Sequence, residues 1–411
     1  MRILLVTPMP PRASAPGAIP LVLHAQVKGL AQRHDVTVAT VAGPDAAELE
    51  AVEKLTGAGV EVRHVVRRLP GGLRALPRRR RLAASWLRGL HPWRTVWFAE
   101  AALQPLLDDL LARGSFDVVA VEDNSMAAYR FRTSSPIVLT EHEVRRPRPI
   151  DLRLGSSRHW PQALFREADW ARWARYERRV WLRCDLLQVF TARDAEAARQ
   201  LAPELDGRIR VTPFGIELPR LPEAGTEDRH RLLFVGNFTH PPNVDAALHL
   251  VRDVLPKLRR RLPDARLAIV GADAPAEVRG LAGDGVEVLG EVDRIEPHFA
   301  RAALVLAPVR IGGGMRMKVL QAMAFGKAVV TTGRGLEGLD VDGADVPAVA
   351  AEGADATADA ALELLLDDGA RADLGSRARS FVEAHFSPNA YASRLERVYL
   401  EAIEEKRARR T

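Results

Sequence analysis

Short apolar runs alternate with amphipathic stretches along the first half of the chain. Each run is nearly continuous, which is typical of a strand that is buried on both faces of a parallel sheet. Each amphipathic stretch predicts a helix that packs against that sheet. The alternation therefore predicts an α/β fold with a doubly wound parallel sheet. The predicted strands of this half are residues 2–7, 35–41, 60–65, 116–121, 137–140, 186–190 and 209–212.

The same alternation restarts in the second half, after a stretch between Thr212 and Arg231 that is rich in proline, glycine and charge. Such a stretch is typical of an interdomain linker. We therefore predict two Rossmann-like domains, residues 1–215 and 216–386, whose parallel sheets face a central ligand-binding cleft. A final helix, residues 387–411, is predicted to pack back towards the N-terminal domain. The predicted strands of this half are residues 232–236, 266–271, 286–290, 303–308 and 328–332.

The segment RIGGGMRMKVLQAMAFGKAVVTT, residues 310–332, joins three glycines to a basic helical turn and a buried strand. Gly312, Gly313 and Gly314 follow one predicted strand and precede a helix that is predicted to begin near Met315. Small residues at such a turn let the backbone approach a ligand, and the amide groups of a helix N terminus favour an anion. The sequence therefore predicts an anion site. A glycine-rich surface loop beside a solvated basic face is the alternative.

Two side chains of this helix are predicted to face the anion. Lys318 and Gln321 are three residues apart and share a helical face. Arg316 either lies in the looser first turn, where it also reaches the anion, or turns towards solvent or a carboxylate. Asn243 is predicted to cap the helix that follows the first strand of the second half.

Polar residues follow two predicted strands of the first half. Glu122 and Asp123 come after one of them, and His142 comes after the next. The carboxyl ends of parallel strands meet at the edge where α/β proteins bind ligands, and a histidine there can exchange a proton near neutral pH. We therefore predict a functional His142, with a structural histidine as the alternative. The loop after the first strand lacks G-x-G-x-x-G, which argues against a dinucleotide site, and its Gly17 either admits a substrate or belongs to a flexible loop.

The composition and the net charge indicate which kinds of partner and which cellular compartment to expect. The 411-residue chain has 59 Lys and Arg against 53 Asp and Glu, a net charge of +6. That charge suits a nucleic acid, an anionic membrane face or a phosphorylated small molecule. The single cysteine, Cys184, excludes an internal disulfide and is expected to be a small buried side chain in a reducing compartment. No apolar run is long enough to span a bilayer, and the apolar start predicts a strand rather than a signal peptide, so we expect a cytoplasmic protein.

One basic and aromatic stretch, residues 71–98, leaves two interpretations open. Four consecutive arginines precede Trp86, Trp93 and Trp97. A helix with a basic flank and an aromatic stripe suits a peripheral contact with the inner face of the membrane or a lipid-linked substrate. Aromatic side chains in the core beside a solvated charge run are the alternative. We predict no nucleic-acid partner, because this helix presents no aromatic platform on its basic side.

The second half resembles the GT-B glycosyltransferases, specifically their large retaining family numbered four, or group 1. The resemblance is carried by FVGNFTHPPNVDAALHLVRDVLP from Phe234, by LAIVGADAP, and by VLAPVRIGGGMRMKVLQAMAFGKAVVTTGRGLEGL to Leu339. It continues more weakly through the first half. It implies the transfer of a sugar from a nucleotide diphosphate sugar to a sugar, lipid-linked or secondary-metabolite acceptor, with retained anomeric configuration. It implies no metal ion, and no cofactor apart from the nucleotide diphosphate sugar as co-substrate.

The resemblance also assigns roles residue by residue. Gly236 matches a glycine under the diphosphate, and Gln321 matches a glutamate that holds the ribose hydroxyls. His142 matches a histidine near the donor sugar, and Glu122 stands where many relatives carry another histidine. We predict His142 and Lys318 as catalytic. The predicted donor-binding residues are Gly236, Asn237, Gly312, Gly313, Gly314, Arg316, Lys318 and Gln321, and the predicted acceptor-side residues are Gly17, Glu122 and Asp123.

Four positions depart from the family pattern. Relatives commonly have two glutamates eight positions apart near the glycines, and often an arginine and a lysine in the loop after the first strand of this half. Our hypothesis is that Lys318 and Arg316 supply the missing cations from the other loop. A nucleotide-sugar-binding homologue of low activity and a GT-B nucleotide-sugar epimerase are the alternatives. The departing positions are Gly313 and Gln321 for the glutamates, and Asn237 and Pro242 for the cations.

Overall fold

The computed structural model describes residues 1–15, 17–67, 84, 86, 92, 100–144, 160–221, 225–341 and 343–410, with the backbone alone at 160–168 and 170. Spatial proximity divides the chain into two compact units. The first unit comprises residues 1–12, 27–212 and 392–411, and the second comprises residues 13–26 and 213–391. Each unit contains one parallel sheet flanked by helices. The predicted α/β class with two Rossmann-like sheets is confirmed.

Seven strands form the sheet of the first unit. They are β1 (Arg2–Thr7), β2 (Asp35–Ala42), β3 (Glu61–Val66), β4 (Val118–Glu122), β5 (Ile137–Glu141), β6 (Leu186–Val189) and β7 (Ile209–Val211). Their spatial order is β3-β2-β1-β4-β5-β6-β7, and every neighbouring pair is parallel. All seven were predicted to within two residues at either end. The order reverses between β1 and β4, which is the kind of switch point where such sheets bind ligands.

Continuous burial explains why these apolar runs are strands. In β1 every residue after Arg2 is buried, as expected where helices cover both faces of a sheet. One core row runs across four strands, because Val6 pairs with Val121, Val121 with Leu139, and Leu139 with Leu187. Burial of each of these side chains contributes about 1.5–3 kcal/mol. A slip of one residue would turn the row to the other face, so the core fixes the register.

Helices connect these strands. Two of them begin with a side-chain cap: Asp45 accepts a hydrogen bond from the Ala47 amide at 3.1 Å, and Thr191 accepts one from the Asp194 amide at 3.0 Å. Such caps satisfy amide groups that have no partner inside the helix, and each contributes about 1 kcal/mol. The helices of the first half are α1 (Ala18–Leu30), α2 (Ala46–Gly57), α3 (Leu103–Arg113), α4 (Trp160–Trp181) and α5 (Ala192–Leu201).

Cys184 lies just after α4 and is buried, as predicted. Its Sγ donates to the carbonyl oxygen of Val180 at 3.4 Å. Burial raises the pKa of the thiol to about 12, because the charged thiolate loses its hydration there. The side chain is therefore a small member of the core rather than a reactive group.

The sheet of the second unit repeats the same strand order. Its strands are β8 (Asp228–Val235), β9 (Arg266–Val270), β10 (Val286–Gly290), β11 (Ala302–Ala307), β12 (Ala328–Thr331) and β13 (Val349–Ala350). They lie in the order β10-β9-β8-β11-β12-β13. The five predicted strands are present, and β8 begins earlier than predicted. The two-residue β13 was missed, because so short a strand has no periodicity to detect.

One helix of the second half begins two residues later than the spacing of its apolar residues predicted. The helix after the glycines begins at Met317 rather than near Met315, because Arg316 has an extended backbone, with φ −100° and ψ 94°. Met315 is buried but precedes the helix. The helices of this half are α6 (Pro241–His249), which continues through a π-helical segment (Leu250–Val254) into α7 (Leu255–Arg259), and α8 (Ala276–Arg279), α9 (Glu296–Arg301), α10 (Met317–Ala324), α11 (Gly353–Leu366), α12 (Asp368–Phe386) and α13 (Pro388–Ala408).

The final helix, α13, makes ion pairs through its C-terminal half. Arg210 donates to Glu401 at 2.6 Å and to Glu405 at 2.9 Å, and Lys406 donates to Asp185 at 2.8 Å. All five residues belong to the first unit. Each pair is partly exposed and contributes at most about 1 kcal/mol, so the pairs orient the helix more than they stabilise it.

Two glycines let α12 approach the turn that ends α10. Gly326 has φ +68°, a left-handed conformation that stops a helix. A Cβ atom at Gly375 would lie 2.2 Å from the carbonyl oxygen of Gly326. Only glycine at 375 permits this backbone contact, which holds the helix carrying Lys318 and Gln321 in place.

Gly375→Ala is expected to destabilise the second unit by about 1–3 kcal/mol, because the added methyl group overlaps a backbone carbonyl. Gly57→Ala is the control, since a Cβ there meets no described atom within 4 Å. That variant should be neutral or more stable by roughly 0.5–1 kcal/mol. Chemical denaturation measures both, and wild-type stability of Gly375→Ala would contradict the contact.

Candidate functional site

The two loops predicted to bind the donor lie side by side. Strands β8 and β11 are hydrogen-bonded parallel neighbours, so the loops that follow them start at the same edge of the sheet. The strand order reverses between these two strands. Ligands of doubly wound sheets bind at such a reversal, between the loops at the carboxyl ends. The fold thus brings Gly236 and Asn237 next to the glycine loop, residues 312–314.

The conformation of the glycine loop depends on Gly312. This residue has φ +93°, which favours glycine. A Cβ atom on it would lie 3.0 Å from Cγ of Pro242 and 3.5 Å from Nη2 of Arg316. The loop therefore packs against the N-terminal turn of α6 and places the Arg316 guanidinium beside that turn. Gly314 also has a positive φ, +80°, with no described atom within 4 Å of an added Cβ.

The predicted role of Asn243 as a helix cap is wrong. Helix α6 begins at Pro241, with His240 in the cap position, so Asn243 lies inside the first turn. Its Nδ2 donates to the carbonyl oxygen of Asn237 at 2.5 Å. A Cβ atom on Gly236 would lie 2.8 Å from Cγ of Asn243, so glycine is required at 236 for this approach.

The Asn237 side chain shapes its own loop. Its Oδ1 accepts hydrogen bonds from the amide of Thr239 at 2.9 Å and from the Thr239 hydroxyl at 2.6 Å. This is the turn by which asparagine commonly organises the two residues that follow it. The Asn237 carboxamide oxygen is thus engaged by its own loop.

Lys318 lies in a site of low polarity. Its Nζ donates to Oδ1 of Asn243 and lies 4.7 Å from the centre of the Phe234 ring. Although the residue keeps some exposed surface, protein atoms surround its amine. Burial, assisted by the Arg316 cation, lowers the pKa of Lys318 to about 7. A lysine of this kind changes its charge near neutral pH, whereas an arginine stays charged.

Gln321 lies one helical turn after Lys318, as predicted. It is partly exposed, and within the described part of the chain its side chain makes no hydrogen bond. The carboxamide can both donate and accept, so it can bind hydroxyl groups of a ligand.

Two arginines that the sequence analysis did not select frame the glycine loop. Arg310 binds Asp245 through two hydrogen bonds of 3.0 and 2.6 Å, the paired geometry that guanidinium and carboxylate groups favour. Arg334, in the turn after β12, donates to the carbonyl oxygen of Gly312 at 2.9 Å. These partners are 65 and 22 residues apart in sequence, so no local pattern could have indicated them.

In the first unit, the structure brings His142 and Glu122 together. Glu122 at the end of β4 pairs in register with Thr140 of β5. Its Oε1 accepts from the Thr140 hydroxyl at 3.1 Å, and its Oε2 lies 3.2 Å from Nε2 of His142. The histidine ring also meets the ring of Phe190 edge to face, with 5.2 Å between centres. The carboxylate and the aromatic ring together fix the orientation of the imidazole.

Asp123 has a structural role in its loop. It has φ +72°, and its Oδ1 accepts from the amide of Ser125 at 2.9 Å and from the Ser125 hydroxyl at 2.6 Å. The side chain therefore closes the turn after β4. Gly17 directly precedes α1, and no described atom lies within 4 Å of a Cβ built on it, so packing does not require a glycine there.

Buried carboxylates attach the end of β5 to α4, a feature that the sequence analysis missed. Glu141, which precedes His142, accepts from Nδ2 of Asn124 and from Nε1 of Trp181, both at 2.9 Å. Glu177 accepts from Asn124 at 3.4 Å and from Nε1 of Trp173. Helical spacing indicates that these tryptophans are buried, but it does not reveal their hydrogen bonds.

Most of residues 71–98 lie outside the described residues, where only 84, 86 and 92 are described. Trp86 donates from Nε1 to Asp169 at 2.8 Å, and the Arg172 guanidinium lies 3.9 Å from the centre of the Trp86 ring. At Trp86 these contacts favour packing against α4, while the membrane contact stays a prediction.

None of the helices in the described ranges combines the length and hydropathy that a bilayer crossing requires. Among the described side chains, no cluster of three or more His, Cys, Asp or Glu is arranged to hold a metal ion.

Solved structures resemble the chain along nearly its whole length. Sucrose-phosphate synthase from Thermosynechococcus elongatus has a TM-score of 0.66 at 16% identity, over 98% of this chain and 99% of that chain. HepE from Anabaena, in complex with UDP and glucose, has a TM-score of 0.63 at 15% identity, over 98% and 100%. TarM from S. aureus, in a complex that contains UDP, has a TM-score of 0.66 at 11% identity, over 97% and 100%. Identities this low show the fold alone, and that fold is GT-B, as predicted.

Sequence relatives narrow the class further. The family model described as "Glycosyl transferases group 1" matches residues 229–367, which include the glycine loop and Lys318. Phosphatidyl-myo-inositol mannosyltransferase from Mycolicibacterium smegmatis is 31% identical over 210 residues, 50% of this chain and 53% of that protein. Its counterpart from Mycobacterium tuberculosis is 32% identical over 130 residues, 29% and 34%. The chain thus spans about half the length of the first of these curated relatives, and less of the second. The match over residues 229–367 confirms the predicted resemblance of the second half to the group 1 glycosyltransferases.

Trp181→Phe is expected to destabilise the first unit by about 1.5–3 kcal/mol, because it removes a donor from the buried Glu141 carboxylate. In the background of Glu141→Gln the same substitution should lower the free energy of unfolding by less, because the neutral amide introduced at position 141 depends less on the Trp181 donor than the carboxylate does. Denaturation of the two single variants and the double variant gives this coupling energy. Equal costs in both backgrounds would show that Trp181 contributes by packing alone.

Proposed function

We propose that the protein is a glycosyltransferase that moves a sugar from a nucleotide diphosphate sugar to an acceptor, with retention of the anomeric configuration. The observation that carries the proposal is the convergence of the Lys318 amine and the Arg316 guanidinium at the switch point of the second sheet. When the sugar departs, negative charge develops on the diphosphate. Fixed cations and backbone amides at that position stabilise the charge more in the transition state than in the ground state.

The position of Arg316 supports our hypothesis that the cations come from the glycine loop. A Cβ atom built on Gly312 would lie 3.5 Å from Nη2 of the Arg316 guanidinium and 3.0 Å from Cγ of Pro242. Relatives often carry a lysine at the position of Pro242. Arg316 therefore puts a cation next to the place from which that lysine extends, and Lys318 reaches the same helical turn through Asn243.

We propose that His142 contacts the donor sugar and that Glu122 positions it. Because Nε2 of His142 lies 3.2 Å from Glu122, the other ring nitrogen, Nδ1, is the one assigned to the substrate. A hydrogen bond to a buried carboxylate fixes the orientation of the ring.

The proposed reaction uses the nucleotide diphosphate sugar as co-substrate, with no metal and no other cofactor. A lipid-linked acceptor is the first to test, since both reported sequence relatives are named phosphatidyl-myo-inositol mannosyltransferases. Sugars and secondary metabolites are the other acceptor classes. An acceptor in a membrane would place the protein at the inner, cytoplasmic face of that membrane.

A homologue that binds nucleotide sugars with little turnover is the second candidate. Gln321 favours it, because an amide binds ribose hydroxyls less strongly than the glutamate of the relatives. Incubation with UDP-glucose, UDP-N-acetylglucosamine and GDP-mannose, with and without phosphatidylinositol, distinguishes the two candidates. Transfer or hydrolysis supports the transferase, and binding without either supports the homologue. An isomerised donor would instead indicate the epimerase.

Lys318→Met is expected to lower kcat/KM roughly 10- to 150-fold at pH 7, which corresponds to the loss of one charge-assisted contact of about 1.5–3 kcal/mol. Methionine keeps the apolar stem over Phe234 and removes the amine. Lys257→Met is the matched control, because Lys257 pairs with Asp355 on the surface. Wild-type kinetics in Lys318→Met would contradict the proposed role.

Gln321→Glu is expected to strengthen donor binding by about 0.5–1.5 kcal/mol, since a carboxylate accepts hydrogen bonds from ribose hydroxyls more strongly than an amide. Titration with UDP and GDP measures the change. The corresponding 2′-deoxynucleoside diphosphates lack one ribose hydroxyl, so the substitution should strengthen their binding less. An equal gain for the deoxy compounds would show that Gln321 does not contact the ribose.

A further inference from the structure

Asn243 connects three parts of the candidate donor site through one side chain. Its Nδ2 donates to the carbonyl oxygen of Asn237, and its Oδ1 accepts from Nζ of Lys318. Its Cγ lies so close to the α-carbon of Gly236 that a Cβ there would come within 2.8 Å. The carboxamide therefore holds the loop after β8 and the first turn of α10 in one fixed arrangement.

The surroundings of Lys318 disfavour its charge while the diphosphate is absent. The Phe234 ring offers a weak attraction to a cation but no hydrogen-bond acceptor. The Asn243 oxygen is neutral, and the nearest cation, Arg316, repels a second positive charge. Burial, and secondly the Arg316 cation, lower the pKa of Lys318 to about 7.

We propose that Asn243 is a positioning residue that holds the Lys318 amine at the glycine loop, where the amine takes up a proton from solvent when a diphosphate binds beside it. The neutral amine and one proton from the buffer give the ammonium ion, and no other bond changes. The inference rests on the proposed function for the identity of the anion, and it adds how this cation is held and charged.

The charged groups near the glycine loop determine in which direction diphosphate binding shifts the pKa of Lys318. Arg316 lies on the same loop, Arg310 is neutralised by Asp245 of α6, and Arg334 is held by the carbonyl oxygen of Gly312. Among the described residues, Arg316 is the charged group that shifts the pKa of the amine, and no carboxylate does so; a diphosphate therefore supplies the opposite charge. Binding then raises the pKa of Lys318. Above about pH 7 the dissociation constant should increase with pH, by up to about tenfold per unit, until the pKa of the complex is reached.

The first experiment measures Lys318 in the free protein and needs no ligand. The chain has six lysines, at positions 28, 54, 257, 318, 327 and 406. Labelling of their ε-carbons with ¹³C, with Lys318→Met to assign the signal, gives the titration of Lys318 by NMR. A midpoint near pH 7 is expected. A midpoint near 10 in the wild-type protein would overturn the inference, whatever the protein binds.

Substitutions of Asn243 test the positioning role. Asn243→Asp should raise the midpoint of Lys318 by about 1 unit or more, because it places a negative charge beside the amine. Asn243→Ala removes the acceptor of the ammonium and should lower the midpoint. Asn389→Asp, the same change at an exposed position at the start of α13, is the control and should leave the midpoint unchanged. Thermal unfolding checks that each variant is folded, and a midpoint that stays constant in folded Asn243 variants would overturn the assignment.

The second experiment measures proton uptake with UDP and GDP as probes, by calorimetry at pH 8 in buffers of different ionisation enthalpy. Wild-type protein should take up close to one proton per nucleotide, and Lys318→Met should take up less. Asn243→Asp should also take up less, because its raised midpoint leaves about half or more of the amine already protonated at pH 8. Binding without proton uptake would overturn the inference and leave the proposed function intact. Failure of both probes to bind at any pH would overturn the proposed function, even if Lys318 titrates near pH 7.

Discussion

The parallel pairing of β8 with β11 determines where chemistry is possible in the second unit. The two strands are neighbours although several elements separate them in sequence, so their following loops leave the sheet together. One loop contributes Gly236 and Asn237, and the other contributes the glycines and Arg316. The glycines allow these loops to touch, and Asn243 fixes them to each other and to Lys318. In the first unit the pairing of β4 with β5 acts in the same way, because it aligns Glu122 with Thr140 and so brings the carboxylate to His142.

Much of this arrangement follows from the sequence, because burial on both faces leaves a direct record in it. A strand such as β1 has no polar positions inside it, and the following loop must then lie at a sheet edge. The sequence is less informative where a loop residue is buried by packing against another part of the fold. Met315 follows the helical spacing of α10 but lies in the loop before it, so the predicted start of the helix was two residues early. Spacing does not distinguish these two kinds of burial.

Side-chain partners were the least predictable part of the site. Asn243 has the residue type of a helix cap, and local propensity therefore favoured that role. In the fold its carboxamide bonds to Asn237 and Lys318 instead, and His240 occupies the cap position. Arg334 and Gly312 are joined by a contact across the sheet edge that no short pattern encodes. The pairing of Glu122 with His142 is intermediate, because the strand ends were predicted to be adjacent while the hydrogen bond was not.

The two cations of the glycine loop differ in a way that matters for an anion site. A guanidinium group stays charged in any protein environment, whereas a buried amine can lose its proton. The site thus combines one permanent cation with one titratable cation. Burying both as permanent charges side by side would cost more free energy, since each would repel the other.

The burial of Cys184 has a practical consequence for site-specific labelling of the protein. A thiol with a pKa of about 12 has almost no thiolate at neutral pH, and maleimide reagents attack the thiolate. A cysteine introduced on an exposed helix would then be the dominant labelling site, without prior removal of the native one. Two such cysteines, one on α2 and one on α11, would carry paired fluorophores that report by energy transfer whether a nucleotide changes the distance between the two helices.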